Sequence, residues 1–303
     1  MTYRFFTPSP ARTATGLLAD VHRQMREEYH GPMPTFQALS PAPELLAATW
    51  TLTRAARLAG DTDRAGREVV AFAVSRANRC RFCAAVHVSE LHTLGEHDLA
   101  ETIAAGGTPP DPWHAGLMAW ASASRKPRAG WWIGQYRPEI VGTLLTVHFV
   151  NRVVRALLVP GLLPGGRPGG RSPGGRAAAP IGGDAVGPAA AYAALRAAAA
   201  RGGDQLSELA RDTVRGTVGW ESGQHPEEPA AWATDLVRDL PPADRVGARI
   251  ALLAAFAPAA ISRGDVGLWR LSRPADADLV RLVAYGAITA TDHVAGALAP
   301  ARH

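Results

Sequence analysis

The 303-residue sequence predicts an all-α protein, and three observations carry that expectation. Hydrophobic residues make up 47% of the chain, enough to bury a core. Alanine, leucine and valine dominate, while aromatics are only 7% and β-branched alternation is scarce. Proline and glycine divide the text into periodic apolar runs of helical length.

Residues 1–40 read as an N-terminal extension. Between 41 and 160 the runs follow one another closely. Pro43 to Leu58 is one helix, with proline at a tolerated first-turn position and Leu45, Leu46, Trp50 and Leu52 as candidate core. Ala65 to Ala77 is apolar nearly all round, which implies burial. Cys80 to Leu94 ends at Gly95, and Asp98 to Ala105 ends at Gly106-Gly107. His114 to Ser124 and Pro138 to Leu158 complete this part. Residues 161–188 are rich in Gly, Pro and Arg and read as a linker, because they cannot bury enough apolar surface to offset ordering entropy. Helical patterns resume over 189–303: Ala189 to Arg201, Asp204 to Val218, Pro229 to Leu240, Asp244 to Ala257 and Ala275 to Leu298.

The formal charge of +5 invites a nucleic-acid reading. Arginine supplies it (Lys126 is the only lysine), spread along the chain with no basic stripe, stacking aromatics or nucleic-acid-binding motif, so no such partner is expected. The field still favours acidic partners. No targeting segment is recognised, and Ile250 to Ile261, the longest apolar stretch, holds Pro258 and is too short to span a bilayer. The expected location is the cytoplasm, with no membrane association. In that reducing compartment two cysteines are not expected to form a structural staple.

Those two cysteines, Cys80 and Cys83, lie three apart, a spacing that chance would give roughly once in 150 trials. Asn78 is a good N-cap residue, which would place Cys80 in the first turn of its helix. The free N–H groups, the helix dipole, Arg79 and Arg81 would all stabilise a thiolate there. His87 follows Cys83 by four residues on the same helix face and can exchange a proton with its thiol. Glu68 lies in a nearly apolar run and needs a partner; His87 is the natural one, with Arg64 on a solvated face as the bland alternative. Cys80, Cys83, His87 and Glu68 would also make four zinc donors, though without the usual second hook. His92, His97, His114 and His148 show no ligand spacing to one another, and no metal or cofactor is expected. Trp113, Trp120, Trp131 and Trp132 could line a pocket but read more readily as packing residues.

With Val74-Ser75, Asn78 and Phe82, the spacing Glu68-x11-Cys80-x2-Cys83-x3-His87 resembles the alkyl hydroperoxidase D / carboxymuconolactone decarboxylase superfamily. Phe149, Asn151 and Arg152 resemble a later helix of its larger members. The resemblance implies an alkyl hydroperoxidase D-like helical bundle, usually homo-oligomeric, acting as a thiol-dependent peroxidase in antioxidant defence. Cys83 would attack the hydroperoxide, Cys80 would close a disulfide, His87 and Glu68 would manage the proton, and a dithiol donor of lipoyl or thioredoxin type would reset the pair. Where some relatives carry a histidine between the cysteines, this chain has Phe82. The competing readings are a lactone decarboxylase, or a redox-sensing or zinc-binding scaffold.

Three expectations follow. The cysteine Cα atoms should lie within disulfide reach, nearer than about 7 Å. Glu68 and His87 should meet in a partly buried pocket beside Cys83. At an offset of 180, residues 189–303 match the first half as a degenerate repeat, placing Ala248, Ala260, Arg263 and Gly267 at the four site positions. That half should therefore do no redox chemistry.

Overall fold

The computed structural model describes residues 2–29, 31, 33–59, 63–127, 136–162, 186–221 and 223–298. Among them are fourteen α-helices and no strand beyond an isolated bridge between Tyr3 and Leu158. Most of the predicted linker, 163–185, lies outside the described residues, as do Trp131 and Trp132.

The helices are α1 Gly16–Glu28, α2 Pro34–Gln37, α3 Pro43–Thr53, α4 Arg64–Ala77, α5 Arg81–Thr93, α6 His97–Ala104, α7 Pro112–Ala123 and α8 Pro138–Leu157. They continue with α9 Pro188–Ala200, α10 Glu208–Glu221, α11 Pro229–Val237, α12 Pro242–Phe256, α13 Arg263–Arg270 and α14 Asp276–Leu298. Proline opens α3, α7, α8, α9, α11 and α12, where its missing N–H would have had no intrahelical acceptor. Asp63, Asp111 and Ser262 cap α4, α7 and α13 through their side chains. Gly95 and Gly106 follow α5 and α6 with φ of 86°, the left-handed stop glycine supplies without strain.

The run expected from Pro43 to Leu58 is continuous but not uniform. Its last turn, Arg54–Leu58, widens into a π-helix, a feature often found at functional sites.

The core crosses the whole chain. One apolar cluster joins Val21, Met25, Trp50, Phe149, Leu252, Phe256 and Val283, so residues 1–40, expected as an extension, contribute α1 to the interior. A second joins Val70, Phe72, Leu91, Ile103, Leu144 and Val294. Each such large apolar side chain contributes about 1.5–3 kcal/mol on burial. Helix α8 is the axis: α4 and α14 both pack on it. By length and composition α8 alone among the described helices could cross a membrane, which the sequence reading overlooked; most of it is buried inside the fold, as in a core helix. Helices α12 and α14 touch so closely that a Cβ on Gly286 would stand 2.2 Å from the Ala251 carbonyl oxygen.

Candidate active site

The site begins where α4 ends. Asn78 was expected to cap the cysteine helix; instead it closes α4, its N–H bonding to the Val74 carbonyl at 2.9 Å. Arg79 then takes φ of 56°, and the chain reverses so tightly that Cys80 itself becomes the N-cap of α5. The Asn78 side chain is committed elsewhere: its Oδ1 accepts from Arg125 at 2.7 Å, and its Nδ2 lies 3.2 Å from His148 Nδ1. The consequence is a shift of register. Cys83, rather than Cys80, occupies the first turn of α5, where free N–H groups and the helix dipole favour an anion.

Cys80 and Cys83 are joined as a disulfide, with Cα atoms 5.3 Å apart. Both are buried, yet they border different spaces. Cys83 lines a cavity of about 40 Å³ together with His87, Phe82, Tyr29 and Asn151. Cys80 lines a separate, broader cleft of about 650 Å³. The two sulfurs therefore border different pockets, and the one beside Cys83 is the smaller.

Behind Cys83 a charged group is buried in full. His87 Nδ1 lies 2.8 Å from Glu68 Oε2, and both residues are under 5% exposed. Arg57, delivered by the π-turn, donates to both Glu68 oxygens at 2.7 and 3.0 Å. Burial alone would raise the Glu68 pKa, but Arg57 and the His87 hydrogen bond outweigh it and hold the carboxyl below its ordinary range. Burial lowers the His87 pKa, and the Glu68 hydrogen bond and charge offset this only in part. The imidazole is therefore neutral near pH 7. With Nδ1 turned to the carboxylate, Nε2 is left free to accept a proton. The Arg64 alternative is excluded, since Glu68 is neither solvated nor paired with it.

Sequence reasoning missed three residues here. Arg57 is one, Tyr29 and Glu90 are the others: the Tyr29 hydroxyl donates to Glu90 Oε1 at 2.5 Å, one turn beyond His87. The unpaired-looking Glu68 was itself the signal that a buried cation had to exist, although arginines are too frequent in this chain for spacing to identify which.

Of the motif residues, Asn151 lines the cavity, and Arg152 is buried next to it in sequence. Asn151 Oδ1 is 3.3 Å from Ser75 Oγ, and Arg152 donates to the carbonyls of His148 and Ala255 at 2.8 and 2.9 Å. Ser124 Oγ lies 2.7 Å from His148 Nε2. Burial and the neighbouring Arg152 and Arg125 drive the His148 pKa well down, so it is a neutral linker. His92 and His97 meet each other at the surface, 3.0 Å between Nδ1 atoms. His114 lies 3.2 Å from Asp63, to which Trp113 also donates. Trp120 packs against Tyr136.

Comparison with known proteins places this geometry in context. Residues 43–107, from the start of α3 to the end of the α6 turn, match the carboxymuconolactone decarboxylase family. Over 95% of this chain and 92% of the other, the sequence is 29% identical to the alkyl hydroperoxide reductase Rv2159c of Mycobacterium tuberculosis. No solved structure matches significantly. Arg57, Glu68, Cys80, Cys83 and His87 all fall inside the matched segment, so the site lies in the part of this longer all-α chain that is similar to the carboxymuconolactone decarboxylase family.

Proposed function

We propose that this chain is a thiol-dependent peroxidase of antioxidant type, with Cys83 as the attacking thiol and Cys80 as its resolving partner. One observation carries the reading: Cys83 shares a small cavity with His87, an imidazole held neutral and oriented by a buried carboxylate. The similarity to an alkyl hydroperoxide reductase supports it.

In the reduced protein, His87 Nε2 takes the Cys83 proton, and the first-turn N–H groups favour the thiolate. The thiolate attacks the terminal peroxide oxygen. An S–O bond forms and the O–O bond breaks. The departing alkoxide takes the proton from His87 and leaves as an alcohol. Cys83 is now a sulfenic acid. The Cys80 thiol attacks it, forming the disulfide and releasing water. A dithiol donor, of the lipoyl or thioredoxin kind, supplies two electrons and two protons to restore both thiols.

Lactone decarboxylation is the less favoured reading, because it would leave the bonded Cys80–Cys83 pair beside His87 without a role. A zinc site is disfavoured by charge, because Arg57 already occupies both Glu68 oxygens. The test is peroxide consumption by the reduced protein with dithiothreitol, lipoyl and thioredoxin donors. Turnover with formation of one disulfide per cycle supports the reading; a reduced protein that consumes no peroxide refutes it.

A further inference from the structure

The cleft on the Cys80 side is not a plain surface hollow. Its floor is apolar, built by Phe72, Ala84 and Val88. Its rim carries Arg76, Arg79 and Arg81, all exposed. None of the three has a carboxylate partner among the described residues, and the Arg76 guanidinium sits over the Phe72 ring, 5.8 Å from its centroid. Elsewhere on the surface Arg23, Arg196, Arg215 and Arg281 each have a carboxylate partner, and Arg12, Arg201 and Arg263, which have none among the described residues, do not line this cleft; here three such cations share one rim. The positive field also continues inward. Arg155 donates to the Asn78 carbonyl and Arg125 to the Asn78 side chain, so the turn carrying Arg79 is backed by two further cations. Three uncompensated guanidinium groups around an apolar floor, with a disulfide sulfur at its edge, form a surface complementary to an anionic partner able to reduce that disulfide.

We propose that this cleft docks an acidic-faced protein segment carrying a dithiol, and that this segment is the donor that resets Cys80–Cys83. The inference rests on the peroxidase reading. Its chemistry is balanced by thiol–disulfide exchange. A donor thiolate attacks the Cys80 sulfur, the Cys80–Cys83 bond breaks, and Cys83 leaves as a thiolate and takes up a proton. The donor's second thiolate then attacks its own sulfur in the mixed disulfide, releasing Cys80, which is protonated in turn. Two electrons pass to the protein, and the donor leaves as a disulfide. The arginines act on encounter and orientation, not on bond breaking.

The probes are three synthetic peptides of equal length, each with one Cys-Gly-Pro-Cys dithiol flanked by four glutamates, four glutamines or four lysines. Each is mixed with the oxidised full-length protein in a single turnover, with dithiothreitol as an uncharged comparison. Each rate is divided by that peptide's rate with a neutral small disulfide, which removes differences in intrinsic thiol reactivity. At low salt the glutamate peptide should outpace the glutamine peptide by about tenfold or more, with the lysine peptide slowest. The advantage should shrink as salt rises to about 0.5 M. Arg76→Glu should remove most of it, Arg76→Gln a smaller part, and neither should change the dithiothreitol rate. Equal glutamate and glutamine rates, or an advantage that survives Arg76→Glu, overturns the docking proposal. A disulfide that dithiothreitol reduces without any gain of peroxide turnover overturns the peroxidase reading instead.

Discussion

Glu68 holds a cation and an imidazole at once: Arg57 stands 2.7 Å from Oε1 and 3.0 Å from Oε2, and His87 Nδ1 stands 2.8 Å from Oε2. The carboxylate is thus compensated before it acts on His87, so it can orient the ring without forcing a proton onto it. Glu68→Gln keeps the shape and removes the charge. The kcat/KM for peroxide should fall about 100-fold, the low end of what general base catalysis contributes, because His87 loses the carboxylate that orients it. Steady-state kinetics on a variant shown by circular dichroism to be helical measures this, and unchanged kinetics would remove Glu68 from the proton path.

Arg57→Met should act first on stability. It leaves a fully buried carboxylate without its cation, and breaking such a pair costs about 3–5 kcal/mol. The Glu68 pKa should rise, moving the acid limb of the activity profile to higher pH. Denaturant titration and a pH–rate profile read the two effects separately; a variant as stable as the parent would show that the pair is not holding the π-turn in place.

The cysteines should differ in kind. Cys83→Ser should abolish turnover while leaving the fold intact, because serine is close to cysteine in size and finds hydrogen-bond partners at a helix start. Cys80→Ser should consume one equivalent of peroxide and stop, with Cys83 held as sulfenic acid. A sulfenic-acid trapping reagent followed by mass spectrometry distinguishes them. Label on Cys80 in the Cys83→Ser protein would reverse the assignment.

Acid should destabilise the protein in two stages. His87 and His148 have folded pKa values depressed below the ordinary 6.5, so the unfolded chain binds more protons than the folded one below that pH. Their stabilising contribution is complete above 6.5 and is lost as pH falls toward the folded values. Glu68, depressed below 4.5, adds its loss at lower pH still. Melting temperature measured from pH 8 to 4 should therefore begin to fall near 6.5, and His148→Gln should make that first fall shallower. A flat curve between pH 7 and 5 would contradict the buried neutral imidazoles.

Deleting residues 189–303 should yield an aggregating or insoluble protein rather than a smaller active one. The deletion removes α14, whose buried Leu279, Val280 and Val283 cover the core shared with α8 and α12. Light-scattering mass and peroxide turnover test it, and a monodisperse, active truncation would refute the covering role.

What the sequence made legible was local. Cys80, Cys83 and His87 share one helix, so their relation is set by spacing, and Glu68 was recognisable as a carboxylate in an apolar run. The run from Pro43, the buried α4 and the long α14 were legible from apolar periodicity. The missed parts depend on distant partners. Arg57 reaches Glu68 from a π-turn that spacing does not reveal, and Tyr29 meets Glu90 across 61 positions. Helix α13 was passed over because Gly264 and Gly267 weaken its pattern, although the Ser262–Asp265 capping box marks its start. The Asn78 cap was misplaced because Arg79, a non-glycine residue, takes a left-handed turn that propensity argues against. As for the suspected repeat, a shift of 180 carries Arg64–Ala77 onto nearly the span of α12, and Arg81–Thr93 across α13.

The turn that presents Cys80 is mounted from outside residues 43–107, the segment that matches the family. Arg125 grips Asn78 while donating to the carbonyls of Gly223, Gln224 and Phe256, and His225 Nε2 lies 3.1 Å from the Ala77 oxygen. The half without cysteines thus supplies the anchor for the half with them, and the position of Cys80 depends on both. A crossover within 161–188 that joined this N-terminal half to a foreign partner would transmit both thiols, His87 and Glu68 intact. It would leave behind the carbonyls that fix where Cys80 stands, so a lineage could trade these halves only by rebuilding that anchorage at the same time.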